Sequence, residues 1–224
     1  MRLPLFILVA LCGSVAWAQS SVAIDQLEMS ARRHLAARDV TSALADYEKL
    51  SELAPSNAGY EDEIGFLLAA TNRAPEAIPH FERATALNPK LAEAWFHLGV
   101  ARAMLQQPAG IGDLEKAVAL VPANADYRYR LGIAYKEAGR YGDAIPQLRV
   151  AAKAMPGKSA IWGALGEALQ HRGQFKEARD SYGRAVTLDP ANTAVRNSYA
   201  AMLIKCGDPA AGLSQFKKNS RARA

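Results

Sequence analysis

Only two of the 224 residues are cysteine, Cys12 and Cys206. A disulfide framework is therefore excluded, and once the N-terminal segment is removed a single thiol remains. Cys206 is expected at a helix end beside Leu203 and Ile204, as a small packed hydrophobe. No Asn-x-Ser/Thr acceptor occurs, so nothing marks a glycosylated surface, which fits a bacterial envelope better than a eukaryotic secretory route. Charge of neither sign dominates: 27 Lys and Arg stand against 22 Asp and Glu, a net charge of +5. That imbalance is too weak for charge-driven binding of a polyanion, and no nucleic acid is expected as a partner. The one local excess, Lys217, Lys218, Arg221 and Arg223, reads as a solvated helix terminus. Long apolar runs are lacking too. The longest, Leu3 to Leu11, is shorter than the roughly 20 residues that cross a bilayer, so no stable membrane span is expected.

The residues that carry chemistry are equally sparse. The four histidines, His34, His80, His97 and His171, lie far apart, and none stands three or four residues from a cysteine or a second histidine as a helical metal site requires. Glu61, Asp62 and Glu63 are consecutive, so on a helix they fan around about 200° and do not form an acid and base pair on one face. They read as first-turn acids favoured by the helix dipole. No GxSxG elbow, phosphate-binding glycine loop or HExxH occurs. The expectation is a chain with no catalytic residue, no cofactor and no metal.

What is present begins with the N-terminus. Arg2 precedes the apolar run, and Ala16-Trp17-Ala18 supplies a small-x-small site before Gln19. Together they read as a secretory signal peptide over 1–18, cleaved after Ala18, followed by a short extension at 19–23. Leu11 precedes Cys12 where a lipoprotein signal wants a small residue, so lipidation is not expected. The mature chain is expected outside the cytoplasm, periplasmic or secreted.

From there on the chain is periodic. Pro55, Pro89, Pro122, Pro156 and Pro190 are separated by 34, 33, 34 and 34 residues. A fixed period of this length means stacked supersecondary units, none of which buries its apolar face alone. The units run over 24–57, 58–91, 92–124, 125–158 and 159–192, with a shorter capping unit at 193–219 and a basic tail at 220–224. In the first half of a unit, large apolar residues and Leu-Gly pairs recur at helical spacing, as in Trp95, Leu98 and Gly99 and again in Trp162, Leu165 and Gly166. In the second half a small residue is followed by a large and a small one, as in Ala77, Phe81 and Ala84 or Ala178, Tyr182 and Ala185. Each unit thus predicts two amphipathic helices, an all-α solenoid of antiparallel pairs. Gly65, Gly99, Gly132 and Gly166 lack a Cβ, which lets the second helix approach the first closely. Gly139 and Gly173 fall where the first helix should stop, suited to a left-handed cap. The third unit is one residue short around Gln106-Gln107-Pro108 and is expected to bend the stack.

This Trp/Leu-Gly/Tyr, Ala, Phe, Pro pattern resembles the tetratricopeptide repeat family over nearly all of 24–219. The match is fullest in Leu131-Gly132, Tyr135, Gly139, Ala144, Leu148, Ala151 and Pro156, and in Trp162, Leu165-Gly166, Gly173, Ala178, Tyr182, Ala185 and Pro190. The first unit departs, with Ser30-Ala31 in place of Leu-Gly. The resemblance implies a right-handed α-solenoid whose first helices line a concave groove, with ligand contacts at the second, fifth, ninth and twelfth positions of each unit. Here those include Asp62, Phe66, Glu93, Phe96, Val100, Asp126, Tyr129, Ile133, Glu167 and Gln170. The groove so composed is aromatic in its middle and acidic at its edge. The carboxylate clamp of the family's chaperone-binding members is absent, since its first-unit positions hold Glu28 and Arg32 and the third unit offers Glu93 and His97. The implied partner is a peptide or helix of another protein, apolar with basic flanks. A noncatalytic envelope scaffold is the leading reading. The alternatives are a homo-oligomer assembled through the terminal unit and Phe216, and an RNA-binding helical-repeat protein.

Overall fold

Alternating pairs of amphipathic segments, each ended by a turn-forming residue, fold as α-helices throughout. The computed structural model describes residues 5–221, with side chains over 21–218; the run Leu3–Leu11, the cleavage site after Ala18 and the tail beyond residue 218 lie wholly or partly outside this description. Among the described residues there are twelve helices and no strand. The chain divides into two compact units between Gln107 and Pro108, inside the expected third repeat.

The first unit holds α1 (Leu5–Ala36), α2 (Val40–Leu53), α3 (Ala58–Ala70), α4 (Ala74–Leu87) and α5 (Ala92–Met104). The second holds α6 (Ala109–Leu120), α7 (Ala125–Glu137), α8 (Tyr141–Ala154), α9 (Ser159–His171), α10 (Phe175–Leu188), α11 (Thr193–Lys205) and α12 (Pro209–Arg221). Within each unit every helix packs on its sequence neighbours, and first helices of adjoining pairs also touch, α3 on α5 and α7 on α9. The terminal capping segment consists of two helices, α11 packed on α12.

The turns repeat with the sequence. One residue per period takes a left-handed backbone after the first helix: Arg38, Asn72, Gln106, Gly139, Gly173 and Gly207 all have φ between 56° and 94°. Asn57, Asn124 and Asn192 cap the first helices with side-chain oxygens that accept from backbone N–H groups. The period-marking prolines follow the second helices, and their carbonyl oxygens are used. Trp95 Nε1 donates to Pro89 O at 3.0 Å and Trp162 Nε1 to Pro156 O at 2.8 Å. Arg128 and Arg196 donate likewise to Pro122 O and Pro190 O. These four donors share one register position, and each ties a linker to the helix that follows it.

The core is built from the recurrent small and large residues. Ala43, Ala77, Ala144, Ala151, Ala178 and Ala185 are fully buried. A Cβ placed on Gly65 would stand 2.6 Å from the Phe81 ring, on Gly132 2.7 Å from Leu148, and on Gly166 2.8 Å from Tyr182. All three distances are below contact, so the close approach of paired helices expected from the sequence is real at these positions.

Candidate partner-binding site

In the first unit the site rests on α3 and α5. Asn57 starts α3, and the buried stripe Ile64, Leu68 packs with Ala77, Phe81, Leu98 and Ala101 into one cluster. That packing turns Phe66 the other way, where it is 47% exposed. On α5, Phe96 and Val100 are half-buried and Glu93 is exposed. Phe66 and Phe96 meet around a residue not expected there, His97. The His97 ring lies 5.3 Å from Phe66, 5.6 Å from Phe96 and 5.5 Å from the core ring of Phe81.

Asp62 departs from its expected place at an acidic edge. It is buried, and its Oδ1 is 2.9 Å from His97 Nδ1. Facing α5 rather than solvent, it holds the imidazole among the phenylalanines. Glu61 is deeper still, at 1% exposure. Ser51 Oγ donates to it, His80 Nδ1 is 2.9 Å away and Arg83 3.4 Å. Burial pushes its carboxyl upward, but these partners outweigh burial and hold it below the ordinary range. Glu61 thus serves tertiary packing between α2, α3 and α4 rather than the dipole alone. It occupies the register position that holds Trp or Arg in later repeats; a carboxylate has no proton to give the Pro55 carbonyl, and it is satisfied from the other side.

Glu63 is the acid that faces the site. It is half-buried, and its pKa is raised by burial first and then by the neighbouring Asp62 charge, with His97 opposing. Its charge also helps raise the Tyr47 phenol, after burial. An acid held at this cost one helical turn from the exposed Phe66 ring is suited to an incoming cation.

In the second unit the expected residues lie on α7 and α9. Asp126 is exposed, and Tyr129, Ile133, Glu167 and Gln170 are half-buried. Two lysines neutralise the acids: Lys136 Nζ is 2.8 Å from Glu167, and Lys158 Nζ is 3.2 Å from Asp126 and 5.2 Å from the Tyr129 ring. Lys136 stands at the twelfth position of its repeat, so the positional rule itself contained it. Ile133, Lys136, Glu167 and Gln170 line a pocket of about 460 Å³ together with Gly163, Ala164, Tyr182 and Val195. Tyr182 Oη donates to Gln170 at 3.0 Å. Among the described residues the two units therefore present different surfaces, one aromatic with acids that have no basic partner within salt-bridge distance at Glu63 and Glu93, the other with its acids Asp126 and Glu167 paired to lysines. Phe66 and Phe96 belong together in the first; Tyr129 belongs to the second.

Among the described residues, no group of three His, Cys, Asp or Glu side chains could hold a metal ion, and no helix is long and apolar enough to cross a membrane. No curated protein matches the chain. Solved structures do. MamA from Desulfovibrio magneticus RS-1, residues 41 to its end, superposes with a TM-score of 0.69 at 20% identity, covering 75% of this chain and 95% of that one. MamA MSR-1 gives 0.68 at 29% identity, with coverages of 74% and 96%. YrrB, described as a TPR protein with an unusual peptide-binding site, gives 0.66 at 22% identity, with coverages of 74% and 86%. The family model for the tetratricopeptide repeat matches residues 64–121, 108–159 and 129–193, more than half of the sequence. The chain belongs to the tetratricopeptide repeat family.

Proposed function

We propose that the protein is a noncatalytic scaffold of the cell envelope that holds a peptide or helical segment of another protein against the first-helix face of its first unit. The exposed Phe66 beside Phe96, both set around His97, is the observation that carries this reading. An exposed ring backed by a half-buried one on packed helices supplies apolar anchor area at little ordering cost. Glu63 and Glu93 set the flanking preference, a Lys or Arg near the anchored residue. Export rests on Arg2, the apolar run and Ala16-Trp17-Ala18. The test is fluorescence anisotropy with a labelled peptide carrying Leu and Phe anchors between lysines. Phe66→Ala with Phe96→Ala should weaken binding at least tenfold, and unchanged affinity would remove this face from the function. N-terminal sequencing of the protein after expression in an exporting host should begin at Gln19; a retained Met1 would remove the envelope assignment.

A second reading, self-association through the last helix pair, is favoured by α12, where Leu213 and Phe216 are 56% and 38% exposed and lie three residues apart. Sedimentation at high concentration tests it, and a monomer mass throughout would dispose of it.

A further inference from the structure

The net charge of the whole chain hides a division. Of the 27 Lys and Arg, 9 fall in residues 1–107 and 18 in 108–224; of the 22 Asp and Glu, 12 fall in the first unit and 10 in the second. The second unit is thus strongly basic while the first is mildly acidic. That basic excess is not spread evenly over the unit's first-helix face, where Lys136 and Lys158 are paired with acids.

Part of it gathers around Trp162. The indole is held by its bond to Pro156 O, and the Arg184 guanidinium lies over its ring at 4.5 Å. This stack separates two cavities that share Pro156, Trp162 and Arg184. One, of about 320 Å³, is lined also by Arg149, Lys153, Ala152 and Leu165. The other, of about 470 Å³, is lined also by Gly183, Thr187, Leu188, Tyr199, Arg179 and Asp180. Arg149 is paired with Glu177 and Arg179 with Asp180. Lys153 and Arg184 have no carboxylate partner among the described residues, and both are exposed. Tyr199 presses its ring on Gly183, where a Cβ would come within 3.2 Å, so the absent side chain keeps the second cavity open.

We propose that the Trp162 cleft is a second binding site, distinct from the aromatic face of the first unit, and that it takes an acidic peptide segment of another protein. A carboxylate enters the smaller cavity, where Lys153 and Arg184 converge. An adjacent apolar side chain fills the larger one against Leu188 and Tyr199. Arginine held on an indole keeps its N–H edge fixed and outward, which suits it to a carboxylate more than a free lysine would be. The division of charge lets one chain discriminate two partners of opposite charge.

The test uses the full chain and two labelled decapeptides, one alternating Glu and Leu, the other Lys and Leu, at physiological salt. The Glu-Leu peptide should bind, and Lys153→Glu with Arg184→Glu should weaken it at least tenfold while Phe66→Ala with Phe96→Ala leaves it unchanged. Leu188→Asp, at an exposed position in the other cavity, should also weaken it without altering Lys153 or Arg184. Affinity that is unchanged in both sets of cleft variants overturns the proposal, as does preference of the cleft for the Lys-Leu peptide. Binding of phosphatidylglycerol vesicles or an RNA oligonucleotide in place of the Glu-Leu peptide, lost in the same variants, would overturn it in favour of another polyanion. Failure of the aromatic face to bind its own basic peptide leaves these outcomes unaffected.

Discussion

His97 Nδ1 is hydrogen-bonded to Asp62 Oδ1 at 2.9 Å across α3 and α5, and the imidazole so placed touches three phenylalanine rings of different exposure. Phe81 is buried against Gly65, Phe96 is half-buried and Phe66 stands out into solvent. One histidine therefore joins the core of the first unit to its candidate binding face. The same aromatic residue type is core at one position and solvent-facing at another.

Phe81→Ala should cost about 3–5 kcal/mol, since a fully buried ring leaves a cavity that the helix pair does not close. Phe66→Ala should change stability by less than about 1 kcal/mol, because the ring is already half in water, yet it should weaken binding of the basic peptide. Urea denaturation beside peptide anisotropy separates the two, and equal destabilisation by both would show Phe66 to be core.

The helix-contact glycines should divide sharply from the exposed one. Gly166→Ala places a methyl group 2.8 Å from Tyr182 and should destabilise by about 1–3 kcal/mol through overpacking. Gly112, inside α6, has nothing within 4 Å of a new Cβ, so Gly112→Ala should stabilise by about 0.5–1 kcal/mol through helix propensity. Thermal melts of the two variants decide the matter; a stabilised Gly166→Ala would mean the helices of that pair shift apart freely.

At Gly173 the backbone φ is 73°, in the region that penalises a Cβ. Gly173→Ala should cost about 1–2 kcal/mol. Gly173→Asn should cost less, because Asn72 occupies the same register position with φ 61° in the first unit. Equal losses for Ala and Asn would point to a lost packing contact instead of backbone conformation.

These comparisons show what a sequence carries and what it does not. The 34-residue period, the proline-ended second helices and the tight Gly65, Gly132 and Gly166 contacts were all legible, because each is a backbone or steric demand that one residue type meets. The left-handed turns at Arg38, Asn72 and Gln106 were not, since their sites are marked only by spacing from the glycines that replace them in later repeats. Among site residues, the positional rule pointed to Phe66, which is exposed, and Phe96, which is half-buried, but mistook Asp62 for an exposed acid. It passed over Glu63 and His97 because they lie one position from the expected contacts. Which of three consecutive acids meets solvent is decided by what the neighbouring helices present, here His97 on α5 of the next repeat and His80 on α4 of the same one, and neither pairing is marked in the local sequence. The division of charge between the units was countable all along, but it became meaningful only once the boundary at Gln107 was known.

Glu61 gives an acid-dependent stability. Its folded pKa lies below its unfolded value of about 4.3, so its contribution is present above that value and lost as pH falls through the folded pKa. Glu61→Gln should cost about 1.5–3 kcal/mol at pH 7, the range for hydrogen bonds to a charged group. The gap between variant and parent should narrow below about pH 4. Urea midpoints at both pH values check this; a gap that persists at low pH would assign the loss to shape rather than charge.

Glu63 has the opposite sign, and that sign ties stability to function. Its folded pKa is raised, so it favours folding fully below the unfolded pKa of about 4.3, and this advantage is lost as pH rises through the folded value. Ionised Glu63 is therefore a cost to the unliganded protein at neutral pH. Glu63→Gln should stabilise the first unit at pH 7, by less than about 1 kcal/mol because the side chain is partly solvated, and the gain should vanish near pH 4. The same variant should bind the lysine-flanked peptide more weakly, by about tenfold, since the cation that relieves the half-buried carboxylate loses its counterpart. Stability and affinity would then move in opposite directions from one substitution, which a purely structural acid would not produce. Parallel melts and anisotropy titrations at pH 7 read both, and a stabilised variant with undiminished affinity would separate Glu63 from the binding face.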